Sequence, residues 1–135
     1  MQMPLDIPIV VRRVEFHGPT GIREIDMILD TGAAYTVVAW DVAKDIGYDP
    51  AVSPQRMPIV TANGVIEAPM ITVDAVQVAE LRVQNVEVIC HDIPEIAGIE
   101  GLLGLSFLRH FRTVVDYIEG NLEITGGTQA MVGFS

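Results

Sequence analysis

Apolar and polar positions alternate along most of the chain, and short clusters of Gly, Pro, Asn and Asp punctuate the alternation. Ile7 to Phe16 is β-branched and apolar with Arg12, Arg13 and Glu15 interspersed, which predicts a strand. The turn cluster His17-Gly18-Pro19-Thr20-Gly21 follows, and Ile22 to Leu29 returns with Arg23, Ile25, Met27 and Leu29 on one face. These two runs form a hairpin whose second strand delivers Asp30. Tyr35-Thr36-Val37-Val38 is a further β segment after Ala33. Met57 to Ala68 reads as a second hairpin, because two apolar arms flank Ala62-Asn63-Gly64 and Asn-Gly is a strong short-range hairpin signal. Ile71 to Val78 alternates as a strand. In Leu81 to Cys90, Leu81 and Val83 share one face whereas Val86, Val88 and Cys90 share the other. A bulge or sharp twist is expected at Gln84-Asn85, where the parity changes. Thr113 to Ile118 and Leu122 to Ile124 flank the tight turn Glu119-Gly120-Asn121.

Helical spacing is confined to two places. Trp40 to Ile46 aligns Val42 with Ile46, and Gly47 follows as a C′ stop. Ala39 stands where an N-cap Ser or Asp would be preferred, so this helix depends on packing. Ser106 to Phe111 makes one or two turns with Phe107, Leu108 and Phe111 inward and Arg109, His110 and Arg112 outward. Pro50, Pro54 and Pro58 mark an extended connection. Leu102 and Leu103, bracketed by Gly101 and Gly104, predict a buried strand end that packs against another backbone at close range. The Gly-rich tail carries Met131, Val132 and Phe134, which need an apolar partner in the domain or in a second subunit.

A length of 135 residues, half of them hydrophobic, suits one domain spanning 1–135, with its core over about 7–125 and a tail at 126–135. The formal net charge of −10 argues against nucleic acid and anionic membrane as partners, since both require clustered Lys and Arg. The single Cys90 is expected to be a buried thiol. No basic segment followed by an apolar run opens the chain and no run approaches spanning length, so a cytoplasmic location is expected. His17 and His91 sit in turn clusters without the ligand spacing of a metal site; no metal and no cofactor is expected.

The stretch Ile25-Asp26-Met27-Ile28-Leu29-Asp30-Thr31-Gly32-Ala33 carries the candidate chemistry. Three consecutive apolar residues run directly into Asp30, so the carboxylate stands at the end of a covered strand. A charge in such a place is costly unless its oxygens find donors. The Thr31 hydroxyl and backbone N–H groups brought close by Gly32 are the candidates. A fixed, partly dry carboxylate suits acid–base chemistry. An Asp-x-Gly turn with no further role explains the three residues equally well.

Taken together, Leu29-Asp30-Thr31-Gly32-Ala33, the Thr61-Ala62-Asn63-Gly64 hairpin tip, and Leu102-Leu103-Gly104 followed by a short helix resemble the retropepsin-like aspartic proteases. More narrowly, the chain looks like the stand-alone Gag-polyprotein-type aspartyl proteases of microbes. The resemblance implies a mostly β fold, a closed acid-protease barrel with one short helix after the catalytic loop and one after Leu-Leu-Gly. It implies an aspartic endopeptidase with Asp30 as the catalytic carboxylate. Thr31 would brace the loop across a subunit contact and Gly32 would let the chain turn. Thr61, Ala62, Asn63 and Gly64 would form the flap tip over a peptide or protein substrate. Leu102, Leu103 and Gly104 would support the catalytic loop. Such chemistry needs two carboxylates and this chain has one Asp-Thr-Gly, because Asp116 lies within Val115-Asp116-Tyr117. A homodimer placing one Asp30 from each chain across a two-fold axis is therefore implied.

Two other readings compete. The fold could serve as a catalytically silent dimerisation or peptide-binding module, or Asp30 could merely cap a turn in a small all-β binding domain. Ala33 carries one further expectation: unlike Ser or Thr it cannot donate a hydrogen bond to the ionised carboxylate. The paired acids should hold their shared proton to higher pH than a hydroxyl-bearing relative. Ala33→Ser is expected to move the pH–rate profile toward acid, measured on a peptide substrate; a profile that does not move would contradict the idea.

Overall fold

The β-branched runs become strands and the two short helices fill the gaps between them, in a computed structural model that describes residues 1–4, 8–94 and 98–126. In chain order the strands are β1 (Gln2–Pro4), β2 (Val10–Gly18), β3 (Gly21–Leu29), β4 (Thr36–Val38), β5 (Arg56–Thr61), β6 (Gly64–Val78), β7 (Leu81–Cys90), β8 (Ile99–Leu103), β9 (Phe111–Asp116) and β10 (Asn121–Gly126). Helix α1 spans Trp40–Asp45 and α2 spans Leu105–Leu108, with a 3-10 turn at Pro50–Val52. The main sheet runs β2-β3-β8-β4-β7-β6-β5, and β2 also pairs with β6. Six strands thus form a closed circuit of pairings, with β5 outside it as an edge.

Strand β2 supplies Val11, Val14 and Phe16 to the core, all fully buried. A spacing of three followed by two cannot come from regular alternation. The β2–β3 register shifts by one residue between Val11 and Val14, and Arg13 takes a positive φ of 58°. The Asp26 carboxylate caps this bulge, accepting the Arg13 N–H at 3.0 Å and the Arg12 guanidinium at 3.0 Å. The parity change in β7 is achieved differently. Val73–Val86 and Ala75–Gln84 pair in one register, so no extra residue is inserted; Asn85 at φ 55° makes the twist.

The return arm of the second hairpin and the strand after it are one continuous 15-residue β6, which passes through Pro69. Pro58 is tolerated because β5 is an edge strand. Gln2–Pro4 pairs with β10 in a separate three-stranded sheet, β1-β10-β9. Phe111 starts β9 rather than ending α2; it still packs on Phe107 at a ring distance of 4.9 Å. The strand start at Ile7 and the apolar tail at Met131, Val132 and Phe134 fall outside the described residues.

Helix α1 has no cap from Ala39. Its first N–H, on Trp40, instead donates to Asp92 Oδ1 at 3.0 Å across 52 positions of sequence. Cys90 is fully buried, and burial pushes its thiol up to about 12, which keeps it protonated and structural. Among the described residues no helix is long and apolar enough to cross a membrane.

The Tyr48 hydroxyl ties the segment after α1 to β6, donating to Asp74 Oδ1 at 3.1 Å and accepting the Asp74 N–H at 2.8 Å. Burial is the main cause that pushes its phenol from 10.0 up to about 12. A raised folded value means that the neutral form favours the folded state. This contribution is full below pH 10 and fades as the pH rises through about 12. Tyr48→Phe should lower the melting temperature at pH 8 and flatten the fall between pH 10 and about 12, as followed by thermal melts.

Candidate functional site

Strand β8 ends between two others. It runs parallel to β3, with Ile28 opposite Leu102 and Leu29 opposite Leu103, and antiparallel to β4, with Val37 opposite Leu102 and Val38 opposite Gly101. The chain from Asp30 to Tyr35 must therefore arch past the end of β8 to connect β3 with β4. Reciprocal main-chain bonds hold this arch. The Asp30 N–H donates to the Leu103 carbonyl at 2.9 Å, and the Leu105 N–H donates to the Ala33 carbonyl at 2.8 Å. Within the arch the Ala33 N–H donates to the Asp30 carbonyl at 3.2 Å.

Gly104 lies directly beneath. A Cβ at this position would stand 2.6 Å from the Tyr35 carbonyl oxygen and 2.7 Å from that of Ala33. Gly101 is pressed in the same way against the Val37 carbonyl. The Leu102-Leu103 pair between them divides its duties: Leu103 is fully buried, whereas Leu102 is half-buried and faces a groove.

Two polar side chains complete the clamp. The Gly104 N–H donates to Thr36 Oγ1 at 3.1 Å, and the Thr36 N–H donates to Ser106 Oγ at 2.8 Å. The sequence signal for them was present but weak, since a lone Thr in a β run and a lone Ser opening a helix have many ordinary uses.

Asp30 itself is half-buried, and the Gly32 N–H donates to its Oδ1 at 3.0 Å. Of the two expected kinds of donor, the backbone N–H reaches the carboxylate. The Thr31 side chain is exposed, and among the described residues its hydroxyl makes no such bond.

Beside the arch lies a groove of about 840 Å³. Gly32, Ala33, Ala34 and Tyr35 wall one end, ahead of Asp30, which is not itself in the lining. The edge strand β5 and the hairpin tip supply another wall through Met57, Ile59, Thr61, Ala62 and Asn63. Leu102, Ile89 and the segment His91–Pro94 supply the rest. His91 is half-buried in this wall rather than in a solvated turn. The groove thus gathers Gly32, Ala33, Leu102, Thr61, Ala62 and Asn63 from the sequence candidates, while Leu103, Gly104 and Asp30 stand behind them.

The hairpin tip is closed by Thr61, which pairs with Gly64. Its Oγ1 accepts the Asn63 N–H at 3.2 Å and donates to the Gly64 carbonyl at 2.9 Å. Ala62 and Asn63 are the turn, and Gly64 at φ 111° absorbs the bend. The arm stands away from the body: Val60 is 85 % exposed and Val65 67 %. Its inward face is Met57, Ile59 and Thr61. An apolar groove under a small-residue tip suits an extended chain with apolar side chains.

The family described as "gag-polyprotein putative aspartyl protease" matches residues 19–110. Among solved structures, a retropepsin-like aspartic protease from Rickettsia conorii is similar, with a TM-score of 0.70 at 21% identity over 92% of this chain and 88% of that one. No curated protein matches the sequence.

Gly104→Ala is expected to destabilise the protein by about 1–3 kcal/mol, because backbone rather than a flexible side chain opposes the new methyl. Urea unfolding with an unchanged slope and a lower midpoint would show it.

Proposed function

Because the chain belongs to the gag-polyprotein aspartyl protease family, a retropepsin-like group, we propose that it is an aspartic endopeptidase acting as a homodimer on peptide or protein substrates. The observation that carries this reading is the Asp30 carboxylate, oriented by the Gly32 N–H on an arch bolted to Leu103 and Leu105, whose residues Gly32 and Ala33 line the groove. Each chain supplies one such carboxylate, so the whole site requires two chains about a two-fold axis. The exposed Thr31 lies next to Asp30 and is the side chain that reaches the partner.

Two carboxylates in contact cannot both ionise cheaply and share one proton; the aspartic-protease dyad is a standard example of this rule. The ionised member takes a proton from a water held between them as its oxygen attacks the scissile carbonyl carbon. The protonated member donates to the carbonyl oxygen. In the collapse of the tetrahedral species a proton passes to the leaving nitrogen and the C–N bond breaks. Gly32, Ala33, Leu102, Leu103 and Gly104 hold the acid in place. Thr61, Ala62, Asn63 and Gly64 act as the flap tip, and the closed circuit of strand pairings is read as the barrel of the fold.

Cleavage of a peptide library by wild type and Asp30→Asn tests the reading. Wild type should cleave, with a rate rising more steeply than linearly with protein concentration while dimerisation is incomplete. Asp30→Asn should lose at least about 10³-fold, in line with removal of a catalytic group. A folded wild type that binds peptides without cutting them would instead support the silent binding module.

A further inference from the structure

Among the described residues, Thr36 and Ser106 are the polar residues buried as a whole, and each hydroxyl has a partner, unlike the buried Thr113 hydroxyl. Thr36 is 0% exposed and Ser106 2%. Buried hydroxyls are costly unless paired, and Val or Ala would fill either place with apolar atoms. Their partners explain the choice. The Thr36 N–H belongs to the first residue of β4, before that strand meets β8 at Val37. The Gly104 N–H belongs to the residue where β8 gives way to α2. Both donors are stranded at element ends inside the protein. The Ser106 hydroxyl accepts the first at 2.8 Å and the Thr36 hydroxyl the second at 3.1 Å.

This relay closes a ring. Asp30 is bonded to Leu103, Leu103 continues into Gly104, Gly104 is bonded to Thr36, and Thr36 leads back along the arch through Tyr35 and Ala33. Ser106 fastens the ring to α2. The ring has no slack at Gly104, which is already pressed against the Tyr35 and Ala33 carbonyls. The orphaned N–H therefore cannot seek another acceptor without moving the arch.

We infer that Thr36 and Ser106 are positioning residues for Asp30, acting through Gly104 and the arch to set where the carboxylate points. The inference rests on the proposed peptidase reading. A misplacement of about 1 Å costs on the order of 10²-fold in rate, so an arch that is free to shift loses turnover before it loses substrate.

Thr36→Val keeps the shape and removes the hydroxyl; Thr36→Ser keeps the hydroxyl and removes the methyl; Ser106→Ala is the second break. On a cleaved peptide, Thr36→Val should lower kcat on the order of 10–100-fold with KM changed less than about twofold, and Thr36→Ser should recover most of the loss. Equal losses in Thr36→Val and Thr36→Ser, or a loss confined to melting temperature with kcat intact, would overturn the inference. Amide resonances decide the case in which wild type cleaves nothing, which defeats the peptidase reading. Thr36→Val and Ser106→Ala should then shift the Asp30 and Gly32 amide signals while leaving those of Val76 and Val83 in place, and Thr36→Ser should leave all four in place. Unmoved Asp30 and Gly32 signals would overturn the inference by themselves.

Discussion

A peptide chain cannot pass over the end of a buried strand unless the strand end is small and its free N–H and C=O groups are answered. That constraint governs this molecule. β8 lies between β3 and β4, and the chain joining those two has to cross it at Gly104. The crossing is possible because Gly104 has no Cβ. It is held because Leu103, Gly104 and Leu105 each bond to the arch above them. Asp30 is the first residue of that arch, so its position follows from how β8 ends.

The rest of the fold keeps β8 in the middle. The β2–β6 pairing closes the circuit behind it, and two left-handed residues, Arg13 and Asn85, bend the long strands enough for that closure. Arg23 on β3 reaches both Glu100 on β8 and Asp45 of α1, joining the same strands from the outside. These partly exposed pairs add little stability by themselves; the apolar interior of Val11, Met27, Val38, Leu103 and Phe107 carries that burden.

The groove shows the other side of the same design. Its floor is the body of the molecule and its roof is an arm, β5 with the first part of β6, that leaves the circuit. The body is tied by buried main-chain bonds, whereas the arm exposes Val60 and Val65. Asp92 stands where the groove meets a second cavity of about 730 Å³ beside α1, and its carboxylate is occupied with capping that helix.

Much of this was legible in the one-dimensional pattern. Alternating apolar runs marked the strands, Ala62-Asn63-Gly64 marked the hairpin, and Gly101 and Gly104 around two leucines announced close backbone contact. Those features depend on neighbours in sequence, where period and turn chemistry operate. The continuity of β6 through Pro69, the Asp92 cap on α1, the strand Gln2–Pro4, and His91 in the groove wall were not legible. Each depends on a partner more than ten positions away, and no local pattern encodes which one. The sequence by itself determined that an acid ends a buried strand and that glycines thin the backbone near two leucines. Only the tertiary structure decided that these two places are one, because hydrogen bonds from Asp30 to Leu103 and from Gly104 to Thr36 span about 70 residues.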